Sequence, residues 1–308
     1  MIIDKLIDLV NKLENPTVVG LDTRLEYIPD DIIKDVQDRY GRTDIAVKYA
    51  LLAFNKGLID SLCDIVPAVK PQMAFYEQYG SEGVDAYIQT VAYAKSKGLV
   101  VIGDIKRSDI ASTAEAYSDG HIGRVKIFGE EKHIFDEDFI TINPFLGGDS
   151  VEPFLANCEK YDRGLFLLVK TSNPGSGDFQ DLISGDRHVY EIVGDYVSQW
   201  GKAFIGKHGY SSIGAVVGAT YPDVAAKMRA RLPHTFFLVP GYGAQGGSAA
   251  DIAAPFDKNG GGAIVNNSRG IIAAYKNEKY AGLSYAEAAR RAAIAMRDEL
   301  RKAIGWGG

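Results

Sequence analysis

Eight short apolar runs, rich in β-branched residues, recur along the chain and constrain its fold more than any other feature. Continuous apolar runs of this length are typical of parallel strands that are covered on both faces. The runs are residues 17–22, 68–75, 99–106, 139–145, 164–172, 214–220, 236–242 and 262–269. We therefore expect a mainly parallel sheet of eight strands.

Helical patterns lie between these runs. Residues 82–97 place Val84, Ile88 and Val91 near one stripe, and Ser284 with Glu287 forms a capping-box pattern before a long alanine-rich segment. Strands that alternate with helices indicate an α/β fold, either a barrel or a doubly wound sheet. The count of eight strands favours the (β/α)8 TIM barrel.

The whole chain, residues 1–308, is predicted to be a single barrel domain, because α/β barrels commonly exceed 200 residues. The connections 23–67, 107–138 and 173–213 are longer than a minimal strand-to-helix unit requires. They predict extra helices or loops over the barrel mouth.

Charge and motif content exclude several classes of function. The net charge of −6 argues against a general nucleic-acid binder, although a small phosphorylated ligand needs only a few local donors. The five histidines and two cysteines form no HExxH or CxxC motif, so no metal site is predicted. No apolar run approaches the roughly 20 residues of a membrane span, and the first residues do not resemble a signal peptide. We expect a soluble, cytoplasmic protein.

Polar residues stand at the ends of the predicted strands. Because active sites of parallel barrels lie at the carboxyl ends of the strands, a ring of such residues predicts one site at the barrel mouth. These residues are Asp22, Lys70, Asp104 with Lys106, Asn143, Ser172, Thr220, Gln245 just beyond strand seven, and Arg269.

The densest group is Asp104-x-Lys106-x-x-Asp109. Residues two apart on a strand point to the same side, so Asp104 and Lys106 should share a face. A turn beyond the strand end could return Asp109 to the site. An exposed, ordinary cluster of ion pairs is the alternative.

Two further groups suggest ligand contacts. The glycine-rich segment Pro240-Gly-Tyr-Gly-Ala-Gln245-Gly-Gly, with Arg269 after strand eight, has the composition of a phosphate site, but a flexible turn fits it equally well. In the segment after strand five, Ser172 or Asn173 could hydrogen-bond a planar amide-bearing ring, or simply cap a turn.

Taken together, these residues resemble the orotidine 5'-monophosphate decarboxylase family. The resemblance is carried by D-x-K-x-x-D-I-x-x-T, from Asp104 to Thr113, and by P-G-x-G-A-Q-G-G, from Pro240 to Gly247. The length of the chain, residues 171–175 and residues 266–269 look like the larger bacterial subgroup, called type 2.

The resemblance implies a cofactor-free decarboxylation of orotidine 5'-monophosphate and an obligate homodimer with composite active sites. It makes Lys106 the proton donor, places Asp104 beside the departing carboxylate, and has Lys70 complete the charged array. It also implies that Asp109 and Thr113 enter the active site of the neighbouring subunit. The substrate-binding residues that it implies are Asp22 for the ribose, Ser172 for the base, Gln245 and Arg269 for the phosphate, and Pro240.

Three other functions stay open at this point. A related phosphosugar barrel, such as a hexulose-phosphate synthase or a keto-acid phosphate decarboxylase, would need magnesium and an extra acid where Lys70 and Gln72 stand. A Schiff-base aldolase is disfavoured because two aspartates would keep Lys106 protonated. A non-catalytic nucleotide-binding barrel would not need the full charged ring. The segment 143–145 has no assigned role, and the connection 107–138 is longer than in compact members of the family.

Overall fold

The computed structural model describes residues 1–242 and 252–306, and it contains a closed barrel of eight parallel strands. Each strand pairs with its neighbours in chain order, and the last strand closes on the first through Thr17↔Val265 and Val18↔Asn266. The strands are β1 (Thr17–Leu21), β2 (Ala68–Pro71), β3 (Val100–Arg107), β4 (Phe139–Ile142), β5 (Gly164–Lys170), β6 (Ser211–Val217), β7 (Thr235–Val239) and β8 (Ala263–Asn267). The predicted (β/α)8 barrel is confirmed.

Prolines explain why two strands are shorter than predicted. β2 ends at Pro71, and β4 ends two residues before Pro144, because proline has no N–H to donate to the ladder. The side chain of Asn143 instead accepts from the N–H of Phe145 at 3.1 Å and begins a short 3₁₀ turn. Asn143 is exposed there and lines neither of the two cavities at the barrel mouth.

Helices surround the barrel and fill its connections. They are α1 (Ile2–Leu13), α2 (Asp30–Tyr40), α3 (Asp44–Leu62), α4 (Ala74–Glu77), α5 (Gly80–Ser96), α6 (Ala111–His121), α7 (Gly148–Tyr161), α8 (Gly177–Gln180), α9 (Val189–Trp200), α10 (Pro222–Arg231), α11 (Arg269–Ile272) and α12 (Tyr285–Ala303). The two helices expected from the sequence are confirmed as α5 and α12, and Ser284 caps α12 by accepting from the N–H of Glu287 at 3.2 Å.

The three long connections carry the extra elements that their length predicts. Residues 23–67 contain α2 besides α3, and residues 107–138 contain a hairpin of Val125–Ile127 with Glu130–Lys132. Residues 173–213 contain α8 and a second, shorter hairpin of Ile183–Ser184 with Arg187–His188. No helix in the described ranges is long and apolar enough to cross a bilayer.

Two apolar cores hold the barrel. The larger lies between the strands and the outer helices, and the smaller fills the barrel interior. Ile3 and Leu6 of α1 belong to the interior core together with Ile102, Phe139 and Phe166 of the strands. Each fully buried side chain of this kind contributes about 1.5–3 kcal/mol. With the lower interior packed solid, the open space for a ligand lies at the carboxyl ends of the strands.

Candidate active site

Three charged side chains form a connected array at the carboxyl ends of β2 and β3. Lys70 Nζ lies 2.5 Å from Asp104 Oδ2, and Lys106 Nζ lies 2.5 Å from Asp104 Oδ1. The prediction that Asp104 and Lys106 share a face is confirmed. One carboxylate therefore bridges two ammonium groups, and each of its oxygens is committed to one of them.

Burial and charge act in opposite directions on this array. Burial alone would lower the pKa of Lys70, but the carboxylates of Asp104 and Asp22 outweigh burial and raise that pKa above its usual value. Burial alone would raise the pKa of Asp104, but the two ammonium groups outweigh burial and hold that pKa well below its usual range. Lys70 and Asp104 are only 5% and 6% exposed, so this part of the array is charged and largely shielded from water.

Lys106 differs from Lys70 in its exposure and in its backbone. Its side chain is 46% exposed, so the ammonium reaches into the open mouth. Its φ is +47°, a left-handed conformation that residues other than glycine rarely adopt. Such strain at the end of a strand is common where the surrounding structure fixes a functional side chain.

A cavity of about 370 Å³ adjoins the array. Its polar lining beyond the array includes Thr141, Ser172, Asn173 and Gln180, and its apolar lining includes Leu168, Val216 and Leu238. Gln180 is fixed by two hydrogen bonds to Thr171, one from the Thr171 N–H at 2.9 Å and one to its Oγ1 at 2.8 Å. An apolar floor with amide and hydroxyl groups on its walls suits a planar heterocycle.

A second cavity of about 370 Å³ shares Ser172 and Pro240 with the first. It is lined by Asp22 after β1 and by Arg269, which begins α11 directly after β8. The buried Asp22 Oδ1 has no hydrogen-bond partner among the described residues, and Arg269 is exposed. Gln245, the other predicted phosphate contact, lies outside the described residues.

Comparisons with known proteins place this chain in a family. The model of the Orotidine 5'-phosphate decarboxylase / HUMPS family matches residues 49–284, more than half of the chain. An orotidine 5'-phosphate decarboxylase of Clostridium perfringens (strain SM101 / Type A) is 45% identical over 305 residues, which cover 99% of each chain. The chain belongs to the orotidine 5'-phosphate decarboxylase family.

Other members agree in sequence and in structure. An orotidine 5'-phosphate decarboxylase of Caldicellulosiruptor saccharolyticus is 43% identical over 301 residues, covering 98% of each chain. The structure of Leishmania donovani OMP decarboxylase is 31% identical, with a TM-score of 0.73, and covers 97% of this chain and 99% of that one. A putative orotidine 5'-phosphate decarboxylase from Streptomyces avermitilis is 29% identical, with a TM-score of 0.76, covering 98% and 95%.

Asp109 and Thr113 stand apart from the array. Asp109 Oδ1 accepts from the N–H of Ile110 at 2.8 Å, and Thr113 is exposed on the first turn of α6. Neither residue lines either cavity of its own chain. That a turn returns Asp109 to a site therefore stays a prediction, since Asp109 precedes α6 and lines neither cavity of this chain. Thr220, also predicted at a strand end, likewise lines neither cavity.

Several residues near the site were missed by sequence reasoning. Thr141 stands inside an apolar run, where nothing distinguishes it from a structural strand residue. Lys170 lies at the end of β5, where its Nζ donates to Asp181 Oδ1 at 2.7 Å and to Ser176 Oγ at 3.2 Å. These two contacts fix the position of the loop that carries Gln180. Its position at a strand end was the available signal. Within the described residues, no three His, Cys, Asp or Glu side chains cluster as metal ligands would.

Proposed function

We propose that this chain catalyses the decarboxylation of orotidine 5'-monophosphate to uridine 5'-monophosphate and CO2, a carboxy-lyase step of de novo pyrimidine biosynthesis. The observation that carries the proposal is the Lys70–Asp104–Lys106 array, which lies beside a cavity at the mouth of the barrel. Membership of the orotidine 5'-phosphate decarboxylase family supports it.

The two adjoining cavities suggest how the nucleotide is bound. The pyrimidine fits the first cavity, with Ser172 beside it and Lys106 directed at C6. The ribose lies near Lys70 and Asp22, whose free carboxylate oxygen can accept from a hydroxyl. The phosphate lies near Pro240, Gln245 and Arg269, since a guanidinium binds phosphate oxygens with charge-assisted hydrogen bonds.

The chemistry follows from the position of Lys106. The bond between C6 and the carboxylate carbon breaks, CO2 leaves, and the electron pair stays on C6. An ammonium already aimed at C6 stabilises that developing charge without solvent reorganisation. Lys106 then transfers its proton to C6, and water reprotonates the amine. Asp104, beside the departing carboxylate, repels a charge that disappears as CO2 forms.

We propose that Asp109 and Thr113 act in the site of a second subunit, in a homodimer with twofold symmetry. Support comes from their position, because both lie just beyond the end of β3 and line neither cavity of their own chain. Ile110, Phe145 and Leu146 are exposed apolar side chains at the same end of the barrel. Large exposed apolar residues mark candidate interfaces.

We further propose a cytoplasmic enzyme of one domain that needs no metal or organic cofactor, because substrate and product are small nucleotides and the proposed chemistry uses only side chains. The reaction with orotidine 5'-monophosphate is followed by absorbance after exhaustive treatment with EDTA. The rate should be unchanged by the chelator.

The control is a Lys106→Ala preparation, purified in parallel, which reports any decarboxylase carried over from the expression host. A wild-type rate no higher than this control would refute the decarboxylase assignment. A large loss with EDTA that magnesium restores would instead support the phosphosugar-barrel alternative.

A further inference from the structure

We infer that Thr141 is a positioning residue of this reaction, whose hydroxyl fixes both the proton donor and the carboxylate that holds it. Thr141 lies on β4, one residue before the strand ends, and is 1% exposed. It lines the cavity next to the charged array. This inference rests on the proposed function, since positioning has a kinetic meaning only for a reaction at Lys106.

The hydroxyl makes two hydrogen bonds whose directions are fixed. Thr141 Oγ1 accepts from the backbone N–H of Lys106 at 3.0 Å and lies 2.9 Å from Asp104 Oδ1. An amide N–H can only donate and an ionised carboxylate can only accept. The single hydroxyl proton is therefore directed at Asp104. One side chain on β4 thus contacts the backbone of the proton donor and the side chain of its partner.

The local strand geometry explains why such a contact is needed. β3 advances four residues, from Gly103 to Arg107, while β4 advances two, from Ile140 to Ile142. Asp104 and Lys106 fall inside this bulge, and Thr141 is the β4 residue opposite it. Bulges interrupt the ladder and redirect side chains, which is why they are frequent beside active sites.

The contact also restrains a strained backbone. Lys106 has a φ of +47°, which persists only where neighbouring groups hold it. Removing the hydroxyl leaves the Lys106 N–H without this acceptor and Asp104 Oδ1 with Lys106 Nζ alone. We expect the bulge to relax and the ammonium to move relative to a bound pyrimidine. Such a movement should change the chemical step more than binding, because Thr141 does not line the cavity proposed for the ribose and phosphate.

The test compares Thr141→Val, which keeps the shape and removes the hydroxyl, with Thr141→Ser, which keeps the hydroxyl. Because displacement of a catalytic group by about 1 Å can cost ~100-fold in rate, Thr141→Val should lower kcat by roughly 10- to 100-fold. The dissociation constant of uridine monophosphate should stay within about threefold, since a group that acts in the transition state changes kcat rather than binding. Thr141→Ser should recover most of kcat.

Thr17→Val is the matched control. Thr17 is a fully buried strand threonine at the opposite end of the barrel, and its Oγ1 has no hydrogen-bond partner among the described residues. This variant should keep the wild-type kcat. If Thr141→Val does not fold, as judged by circular dichroism, Thr141→Ala carries the same comparison.

The outcomes separate this inference from the proposed function. A wild-type protein without decarboxylase activity overturns the proposed function, and crystal structures then still test whether Thr141→Val changes the Lys106 backbone and its contact with Asp104. With an active wild type, an unchanged kcat in Thr141→Val overturns the inference. So does a Thr141→Ser variant as slow as Thr141→Val, because packing rather than the hydroxyl would then be responsible.

Discussion

Lys70 and Asp104 are joined by an ion pair of 2.5 Å between two nearly buried side chains, and the second oxygen of Asp104 is held at the same distance from Lys106. Removing one member of a buried pair leaves an uncompensated charge, whereas removing both does not. The array is therefore a local constraint on stability, in addition to its proposed role in catalysis.

The first prediction concerns pH and stability. The folded pKa of Asp104 is below its ordinary 3.8, so its contribution is present above that value and is lost as pH falls through the folded pKa. The folded pKa of Lys70 is above 10.5, so its contribution is present below 10.5 and is lost as pH rises through the folded pKa. The free-energy difference between wild type and Lys70→Met/Asp104→Asn should then be constant from roughly pH 5 to 9.

Urea unfolding at several pH values measures this difference. Asp104→Asn alone is the contrasting variant, because it removes the larger of the two carboxylate charges that oppose burial, and burial should then lower the pKa of Lys70. It should lose stability relative to the double variant as pH falls from 9 to 5. A wild-type difference that drifts by more than about 1.4 kcal/mol across this range, one pKa unit, contradicts the assignment of charges.

Lys106→Ala should nearly abolish turnover while the fold survives. The ammonium is half exposed, so its removal costs little folding free energy, but no other group replaces its proton. Steady-state assays and thermal unfolding measure the two effects. Lys126→Ala, an exposed lysine of the hairpin that follows α6, is the control and should behave as wild type. Retention of more than a few per cent of activity would remove Lys106 from the proton-donor role.

Arg269→Ala should weaken the binding of phosphorylated ligands. A charge-assisted hydrogen bond contributes about 1.5–3 kcal/mol, which corresponds to a loss of roughly 10- to 150-fold in affinity for uridine monophosphate. Part of the loss should also appear in kcat, because phosphate binding energy can drive loop closure. Calorimetry with uridine, which lacks the phosphate, provides the control. An unchanged affinity for uridine monophosphate would place the phosphate elsewhere.

The ion pair of the buried Lys170 with the exposed Asp181 should respond asymmetrically to substitution. Lys170 is 1% exposed, whereas the side chain of Asp181 is 46% exposed. Asp181→Ala leaves a buried ammonium without its partner and should cost about 3 kcal/mol of unfolding free energy. Lys170→Met leaves a carboxylate that water can solvate and should cost about 1 kcal/mol. Chemical denaturation measures both, and an equal or reversed order would show that Lys170 is not held by this pair.

Mixed dimers test the composite site. Lys106→Ala removes the donor from its own barrel, and Asp109→Ala removes the acid given to the neighbour. In a mixed dimer both substitutions fall in one active site, and the other active site contains neither. Because about half of randomly paired dimers are mixed, activity should recover to roughly a quarter of wild type by this symmetry. If the mixture stays inactive after subunit exchange is verified, both residues serve the same chain's site.

The barrel could be predicted because its strands carry their own signal. Every apolar run became a strand, since a strand covered on both faces must be apolar throughout. The first and last residues of a strand could not be predicted where polar residues extend the strand beyond its apolar run. β6 begins at Ser211, three residues before the apolar run. The N–H of Ser211 donates to the His234 carbonyl, and its hydroxyl donates to the Gly201 carbonyl, so these polar groups are paired at the start of the strand.

The site could be predicted only in part, for a geometric reason. Asp104 and Lys106 are two residues apart on one strand, so strand periodicity predicts their shared face. Thr141 reaches them only because the β3 bulge sets an irregular register, which no pattern in either strand reveals. Gln180 is nine residues beyond Thr171 and returns to it through a loop whose path depends on the buried Lys170.

At Lys106 the left-handed backbone conformation lowers stability, whereas the proposed reaction needs a lysine at this position. Glycine and asparagine adopt that conformation with less strain than lysine does. Under selection for thermal tolerance alone, substitution of this lysine would be favoured, and its proposed role as proton donor is what would retain it. In a lineage that no longer needs the activity, position 106 should therefore drift toward glycine or asparagine while the apolar strands around it remain unchanged. Inactive descendants of such a barrel would be recognisable from that one position before any other part of the fold had diverged.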